Sequence, residues 1–188
     1  MRAPMAKSPV LVSERLCFHP WEPEDFPLLA ALHRDPQVQH FLQMGDPPWD
    51  EMFLQAKFEG FRADYEAHGW TKFKVTDRQG AFIGRAGFGR YEATQELELG
   101  YTFMRSLWGQ GCATEAAGAL LDWIYRVEPV DHVIGFAVAE HEASRRVLEK
   151  AGMVFTGIRN VDGIPNAFYR HDHPGRGTSG SGRIELEG

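Results

Sequence analysis

The spacing of apolar residues in the N-terminal part of the chain predicts a region that is mainly helical. Large apolar side chains recur at steps of four, three and four residues, the spacing of one helix face; they are Leu54, Phe58, Phe61 and Tyr65. This helix should end near His68-Gly69, because glycine is a common residue at a helix C-terminus. The elements expected before it are a strand over Val10–Phe18, a helix over Glu24–His33, a turn of helix to Phe41 and a loop that contains Gly45 and Pro47-Pro48.

A period of two residues governs the middle of the chain and predicts antiparallel strands. Trp70–Thr76 and Ala81–Tyr91 flank the segment Asp77-Arg-Gln-Gly80, which is the arrangement of a β-hairpin. In the following segment, Leu97–Phe103, large apolar residues alternate with polar or small ones. One face of this strand should therefore be buried, and the adjacent glutamates should lie on the other face.

The C-terminal part alternates between helical and strand patterns. A helical stripe over Ala113–Val127 follows the turn Gly109-Gln110-Gly111. The remaining elements expected are a buried strand over His132–Ala139, a helix over Glu142–Ala151 and strands over Met153–Arg159 and Ala167–His171. The chain is thus expected to form one α/β (α+β) domain over residues 8–172. A Gly/Ser-rich tail over 173–188 should be disordered.

Composition and charge narrow the class of protein. The chain has 188 residues, 43% of them hydrophobic and with a net charge of −6, which suits a cationic substrate. It shows no basic stripe for nucleic acid and no apolar run that would cross a membrane, and its N-terminus lacks a secretory signal. With Cys17 and Cys112 as free thiols, a cytoplasmic monomer or homodimer is the simplest expectation. His171-Asp172-His173 lacks a further ligand by spacing, so no metal is expected.

The turn between the patterned strand and the next helix is the most informative segment. Glycines at 109 and 111 allow backbone amides to converge, and the helix that follows aims its unpaired N–H groups at the same point. These features favour an anion site suited to a diphosphate. A Gly-X-Gly before a helix is also common without any ligand. The segment is neither a dinucleotide fingerprint, since Thr114 takes the place of the third glycine, nor a Walker loop.

Four segments together resemble the GNAT superfamily of N-acetyltransferases. The family motif Gln/Arg-x-x-Gly-x-Gly/Ala aligns with Trp108-x-x-Gly111-x-Ala113, so a tryptophan replaces the first residue. Ser13-Glu-Arg-Leu16 resembles the family's first strand and Glu98-Leu-Gly-Tyr101 its fourth. The segment from His141 to Gly152 resembles the late helix, with histidine in place of the usual asparagine. The similarity runs from about Leu11 to Tyr169 and is to the branch that includes ribosomal-protein N-terminal acetyltransferases.

This resemblance implies a fold, a co-substrate and a set of binding residues. The sheet should be mixed, mostly antiparallel, flanked by helices and splayed between its fourth and fifth strands. Acetyl-CoA should bind in that splay and should donate its acetyl group to a primary amine by direct attack. The binding residues carried over from the family are Tyr101, Thr102, Phe103, Trp108, Gly109, Gln110, Gly111, Cys112, Ala113, Thr114, His141 and Ser144.

Three residues are candidates for the catalytic roles. Glu98, which lies on the polar face of the strand before the turn, is the expected general base, and a solvated strand face is the alternative. Leu148 occupies the position where many relatives have a tyrosine that acts as the general acid. Ser144 could instead protonate the departing thiolate or simply bond to backbone groups. His141 could contact the pantetheine arm, act as the acid, or be a surface residue at a helix start.

The acceptor is left open by the sequence. A protein N-terminal α-amine and a small-molecule amine, such as an aminoglycoside, a polyamine or an amino acid, are both compatible with the pattern. A module that binds CoA as a sensor without transferring the acetyl group is a third possibility, because the usual asparagine and tyrosine are absent.

Overall fold

A computed structural model describes residues 8–40, 42 and 49–175. The expectations for Phe41, for the loop that contains Gly45 and Pro47-Pro48, and for the tail from residue 176 onward lie outside the described residues.

Within these described residues, eight strands form one sheet in the order β1-β2-β3-β4-β5-β6-β8-β7. Neighbouring strands are antiparallel except for β5 and β6, which confirms the expectation of a mixed, mostly antiparallel sheet. The strands are β1 Leu11–Val12, β2 Leu16–His19, β3 Lys72–Asp77, β4 Phe82–Arg90, β5 Leu97–Phe103, β6 His132–Val138, β7 Val154–Val161 and β8 Ile164–Asp172.

The described residues form five α-helices beside the sheet. They are α1 Phe26–His33, α2 Pro36–His40, α3 Glu51–His68, α4 Cys112–Val127 and α5 Glu142–Lys150. The helix expected over Glu24–His33 begins as a 3₁₀ turn, Pro23–Asp25, before α1. At the end of α3, Gly69 adopts a φ of 76° and closes the helix where the sequence predicts it.

The first predicted strand is two strands. β1 and β2 pair antiparallel, with Leu11 opposite Phe18, across a tight turn closed by a bond from Ser13 N to Leu16 O at 2.9 Å. Glu115, on α4, holds this turn by accepting hydrogen bonds from Ser13 Oγ and Arg15 N. Because the stabilising carboxylate lies far along the chain, the local pattern could not reveal the turn.

The junction of β5 and β6 divides the sheet. The two strands run parallel and pair at one position among the described residues, Glu98 opposite Ile134. They correspond to the fourth and fifth predicted strands, since the first one is split. This divergence confirms the expected splay and leaves a wedge-shaped gap between the two halves of the sheet.

The main core lies between the sheet and α4. Ala116, Ala117, Leu120 and Ile124 of α4 are fully buried against Leu97 and Leu99 of β5 and their neighbours. The helical stripe expected from the sequence is therefore the packed face, although Val127 at its end is 51% exposed. This packing fixes the start of α4 beside the gap.

Candidate active site

The gap between β5 and β6 opens into a cleft of about 600 Å³. The cleft is lined by both strands, by the turn before α4 and by the start of α5. Gln110 does not line it, whereas the other residues expected at the site do: Glu98, Tyr101, Thr102, Phe103, Trp108, Gly109, Gly111, Cys112, Ala113, Thr114, His141 and Ser144.

The turn into α4 has the backbone conformation that its glycines suggest. Gly109 and Gly111 have φ angles of 75° and 80°, which side-chain-bearing residues adopt at a cost. The first bond of the helix runs from Glu115 N to Gly111 O. The amides of Cys112, Ala113 and Thr114 precede that bond and so have no partner within the helix. This turn therefore presents N–H groups and the positive end of a 16-residue helix to the cleft.

Arg15 holds this turn from behind. Its Nη1 donates to the carbonyl of Gln110 at 2.9 Å, and its Nε donates to Glu115 Oε2 at 2.6 Å. Burial opposes ionisation of Glu115, but the hydrogen bonds from Ser13 and Arg15 outweigh it, so the pKa of Glu115 is lowered. Gln110 thus supports the turn through its carbonyl and does not face the cleft. The sequence contains no local signal for this contact, since Arg15 and Gln110 are 95 positions apart.

Glu98 lies on the cleft wall and is paired with a cation. Lys72 Nζ donates to Glu98 Oε2 at 2.6 Å, and the two side chains are 16% and 15% exposed. Glu98 Oε1 has no hydrogen-bond partner among the described residues. Gly100 makes room for the pair, because a Cβ there would collide with Lys72 Nζ. Burial lowers the pKa of Lys72, and the Glu98 carboxylate opposes that shift.

Glu96, the other glutamate beside this strand, has a different environment. It accepts hydrogen bonds from Thr94 Oγ1 and His132 Nε2 at 2.6 and 2.7 Å and does not line the cleft. Of the two glutamates on the polar face, Glu98 alone can reach a molecule bound in the cleft.

A buried arginine forms part of the cleft floor. Arg85 of β4 is 5% exposed and donates from Nε to His33 Nε2 at 3.2 Å. Burial, together with the Arg85 charge, lowers the pKa of His33 to about 3, so His33 is neutral and can accept this bond. Burial also lowers the pKa of Arg85 to about 10, so Arg85 keeps its charge at neutral pH. In the sequence Arg85 is merely a polar residue within a strand.

Two hydroxyl groups meet where β5 faces α5. Tyr101 Oη donates to the Ser144 carbonyl at 3.0 Å and lies 3.1 Å from Ser144 Oγ. Burial raises the pKa of Tyr101, which keeps it protonated. The position occupied by Leu148 is buried in the core and has no hydroxyl. The hydroxyls near the cleft therefore come from Ser144 and from Tyr101, which the family resemblance assigned to coenzyme binding without a role for its hydroxyl.

His141 and Trp108 border the same cleft. His141 directly precedes α5. Its pKa is lowered mainly by burial and also by the charge of the nearby His40. Trp108 donates from Nε1 to Phe103 O at 2.9 Å, which fixes its ring against the end of β5. Arg146 and Lys150 of α5 also line the cleft and add positive charge that the sequence-based expectations omitted.

Among the described residues, no group of three or more His, Cys, Asp or Glu side chains is placed to hold a metal ion. The segment His171-Asp172-His173 instead packs on α4, where Tyr125 Oη donates a hydrogen bond to the carbonyl of His171. No helix in the described part of the chain has the length and apolarity needed to cross a membrane.

Comparison with known proteins identifies related sequences and folds. A family model described as an acetyltransferase (GNAT) domain matches residues 15–154. The uncharacterized protein YkkB of Bacillus subtilis (strain 168) is 36% identical over 94 residues, which are 49% of this chain and 55% of YkkB. The aligned region thus spans little more than half of that relative.

Solved structures share the fold at lower identity. An acetyltransferase from Agrobacterium tumefaciens str. C58 superposes with a TM-score of 0.77 at 22% identity, over 92% of this chain and 99% of that one. RimL, a ribosomal L7/L12 alpha-N-protein acetyltransferase in complex with coenzyme A, gives a TM-score of 0.73 at 16% identity, over 88% and 98%. At these identities the similarity establishes a common fold.

Proposed function

This chain belongs to the GNAT family of acetyltransferases, and from that premise we propose that it transfers the acetyl group of acetyl-CoA to a primary amine by direct attack. The observation that carries the proposal is the open turn at Gly109–Thr114, whose free amides face a cleft in the splayed sheet. Cys112 is the cysteine that lines this cleft, and its side chain is 7% exposed and packed in the main apolar core, which does not suit a nucleophile.

The turn fits the diphosphate of CoA. The amides of Cys112, Ala113 and Thr114 are free for a ligand, and hydrogen bonds from amides to charged oxygens contribute roughly 1.5–3 kcal/mol each. These donors would hold the coenzyme, which supplies the activated acetyl thioester. Arg15 stabilises the turn by donating a hydrogen bond to the carbonyl of Gln110, a residue that does not line the cleft.

Glu98 is the proposed general base. An amine must lose its proton before it attacks, and at pH 7 this costs about 1.4 kcal/mol for an α-amine and about 4.6 kcal/mol for a lysine. Lys72 holds one oxygen of Glu98, while Oε1 can accept a proton directly or through water. The lower cost for an α-amine favours an N-terminal amine as acceptor, and RimL, which shares the fold, acts on such an amine.

Ser144 is the proposed donor to the departing thiolate. Its hydroxyl lies at the start of α5 on the cleft wall, where Tyr101 Oη orients it. His141 lies three positions earlier and would contact the pantetheine arm, which the family's asparagine does in its relatives. Burial keeps His141 largely neutral at pH 7, because its pKa is lowered.

The test of this function is release of free CoA from acetyl-CoA with a panel of amines. We expect Glu98→Gln to reduce kcat by about a hundredfold or more while CoA affinity is unchanged. Glu96→Gln is the matched control, since Glu96 is paired with His132 outside the cleft and its loss should leave kcat intact. A normal rate in Glu98→Gln would remove Glu98 from the mechanism. CoA binding without release from any amine would identify a sensor instead of an enzyme.

A further inference from the structure

Arg85 is a buried charge that forms no salt bridge among the described residues, although the charge of Glu98 favours its ionised form. Its side chain is 5% exposed, and its one hydrogen bond there runs from Nε to the neutral His33 ring. Phe61 packs against the guanidinium, with Arg85 Cζ 5.7 Å from the ring centroid. Buried charges in proteins are normally paired, because an isolated one is costly. The two terminal nitrogens of Arg85 are therefore available to a ligand in the cleft that Arg85 lines.

The nearest carboxylate is already committed to another cation. Glu98 binds Lys72 at 2.6 Å, so this face of β3, β4 and β5 carries Lys72, Glu98 and Arg85 in the cleft wall with one positive charge in excess. The local charge is opposite in sign to the net charge of the whole chain, −6. A polyamine or aminoglycoside would meet a positive floor, which disfavours both.

A second polar group lies next to Arg85. Thr102 of β5 pairs directly with Arg85 in the ladder, so the two side chains project from the same face of the sheet. Thr102 is 8% exposed, and its Oγ1 has no hydrogen-bond partner in the described part of the chain. A guanidinium beside a free hydroxyl is a suitable arrangement for a carboxylate, which can accept from both groups.

We propose that the acceptor amine also carries a carboxylate, and that Arg85 and Thr102 bind it while the amine faces Glu98. This inference rests on the proposed acetyl transfer and names its substrate class. Glu98 lies four positions from Thr102 along β5, a span of about 13 Å at the rise of a strand. That span joins backbone positions, and the charged ends of Glu98 and Arg85 interact across it. The amine and the carboxylate are thus bound at separate but neighbouring points, as in an N-terminal peptide with an early acidic residue or in an amino acid with a side-chain carboxylate.

Matched acceptor pairs test the inference on the unmodified protein. One pair is a C-terminally amidated peptide with aspartate or asparagine at its second position, and another is an amino-acid α-amide with a side-chain carboxylate or carboxamide, so that only one member of each pair carries a carboxylate. We expect kcat/KM for the carboxylate member to be roughly 10- to 100-fold higher, as for a charge-assisted bond to arginine. The first pair tests a peptide acceptor and the second a single amino acid.

Two variants assign any preference to Arg85. Arg85→Gln should bring the ratio of each pair close to one while the CoA dissociation constant is unchanged, which also shows that the variant folds. Lys74→Gln is the control, because Lys74 lies opposite Arg85 in the ladder but pairs with Asp25 at 2.6 Å; this variant should keep the preference. Equal kcat/KM within both pairs on the unmodified protein would overturn the inference and leave acetyl transfer intact. No CoA release from any amine would overturn the proposed function and, with it, this inference.

Discussion

His33 should make the stability of this protein depend on pH. Its ring is 3% exposed, stacks on Trp49 with 4.9 Å between centroids, and accepts a bond from Arg85 Nε. A proton on Nε2 would abolish that bond and would place a second positive charge beside the guanidinium. Burial and the Arg85 charge together lower the pKa of His33 from 6.5 to about 3. The folded state therefore resists protonation of this ring.

The sign and size of the effect follow from linkage. Between pH 6.5 and about 3 the unfolded chain binds a proton at His33 that the folded chain does not. The free energy of unfolding must then fall as the pH falls through this window, and the contribution is complete above 6.5. At about pH 5, the loss relative to neutral pH is about 2 kcal/mol.

Urea unfolding at pH 7.5 and at pH 5, at one ionic strength, measures the contribution of His33 to the free energy of unfolding. His33→Gln is the comparison variant, because glutamine can accept from Arg85 through its amide oxygen but does not titrate. Other carboxylates and histidines contribute equally to both proteins and cancel. We expect the free energy of unfolding to drop by about 2 kcal/mol more in the wild type than in the variant. Equal drops in the two proteins would show that His33 is not held neutral by burial and would refute the reasoning.

Two further predictions concern the cofactor turn and the hydroxyl pair. Gly111→Ala should raise the CoA dissociation constant roughly tenfold, because the free turn would relax away from a φ of 80° and CoA binding would have to restore that conformation at a cost of about 1–2 kcal/mol. Gly118→Ala, inside α4 with no atom near its Cβ position, should leave binding unchanged in the same calorimetric titration. Ser144→Ala should lower kcat about a hundredfold at unchanged CoA affinity if its hydroxyl protonates the thiolate. Unaltered kcat in stopped-flow thiol detection would show that this hydroxyl serves only as a side-chain partner of Tyr101 Oη.

Local sequence patterns accounted for the elements and the cofactor turn. Alternation predicted the buried residues Leu97 and Leu99 of β5, and glycine spacing predicted the positive φ angles at residues 109 and 111. These features depend on interactions between near neighbours in the chain, which a period or a residue type records. The roles of Glu98, Ser144 and His141 stay predictions, although all three line the cleft.

The charged floor of the cleft could not be predicted in the same way. Alternation assigns Lys72 and Arg85 to the polar face of a strand, but it does not say whether that face meets solvent or another layer. Here α1 covers part of the face and brings His33 to Arg85 from 52 positions away. The contact of Lys72 with Glu98 likewise joins residues 26 positions apart. Burial turns these residues from solvated side chains into binding groups, and burial is a property of the assembled fold.

Because β5 and β6 pair at one position among the described residues, hydrogen exchange along these two strands should show whether a ligand is bound in the cleft. Beyond Glu98 and Ile134 the two strands form no further pair among the described residues. Backbone amides that face the gap between them must therefore bond to water when the cleft is empty. These amides should take up deuterium quickly in the ligand-free protein, whereas amides that are hydrogen-bonded between β6 and β8 should exchange slowly. A pantetheine arm laid along β5 would act as a missing strand and would slow uptake on that edge alone, which locates the ligand without a crystal.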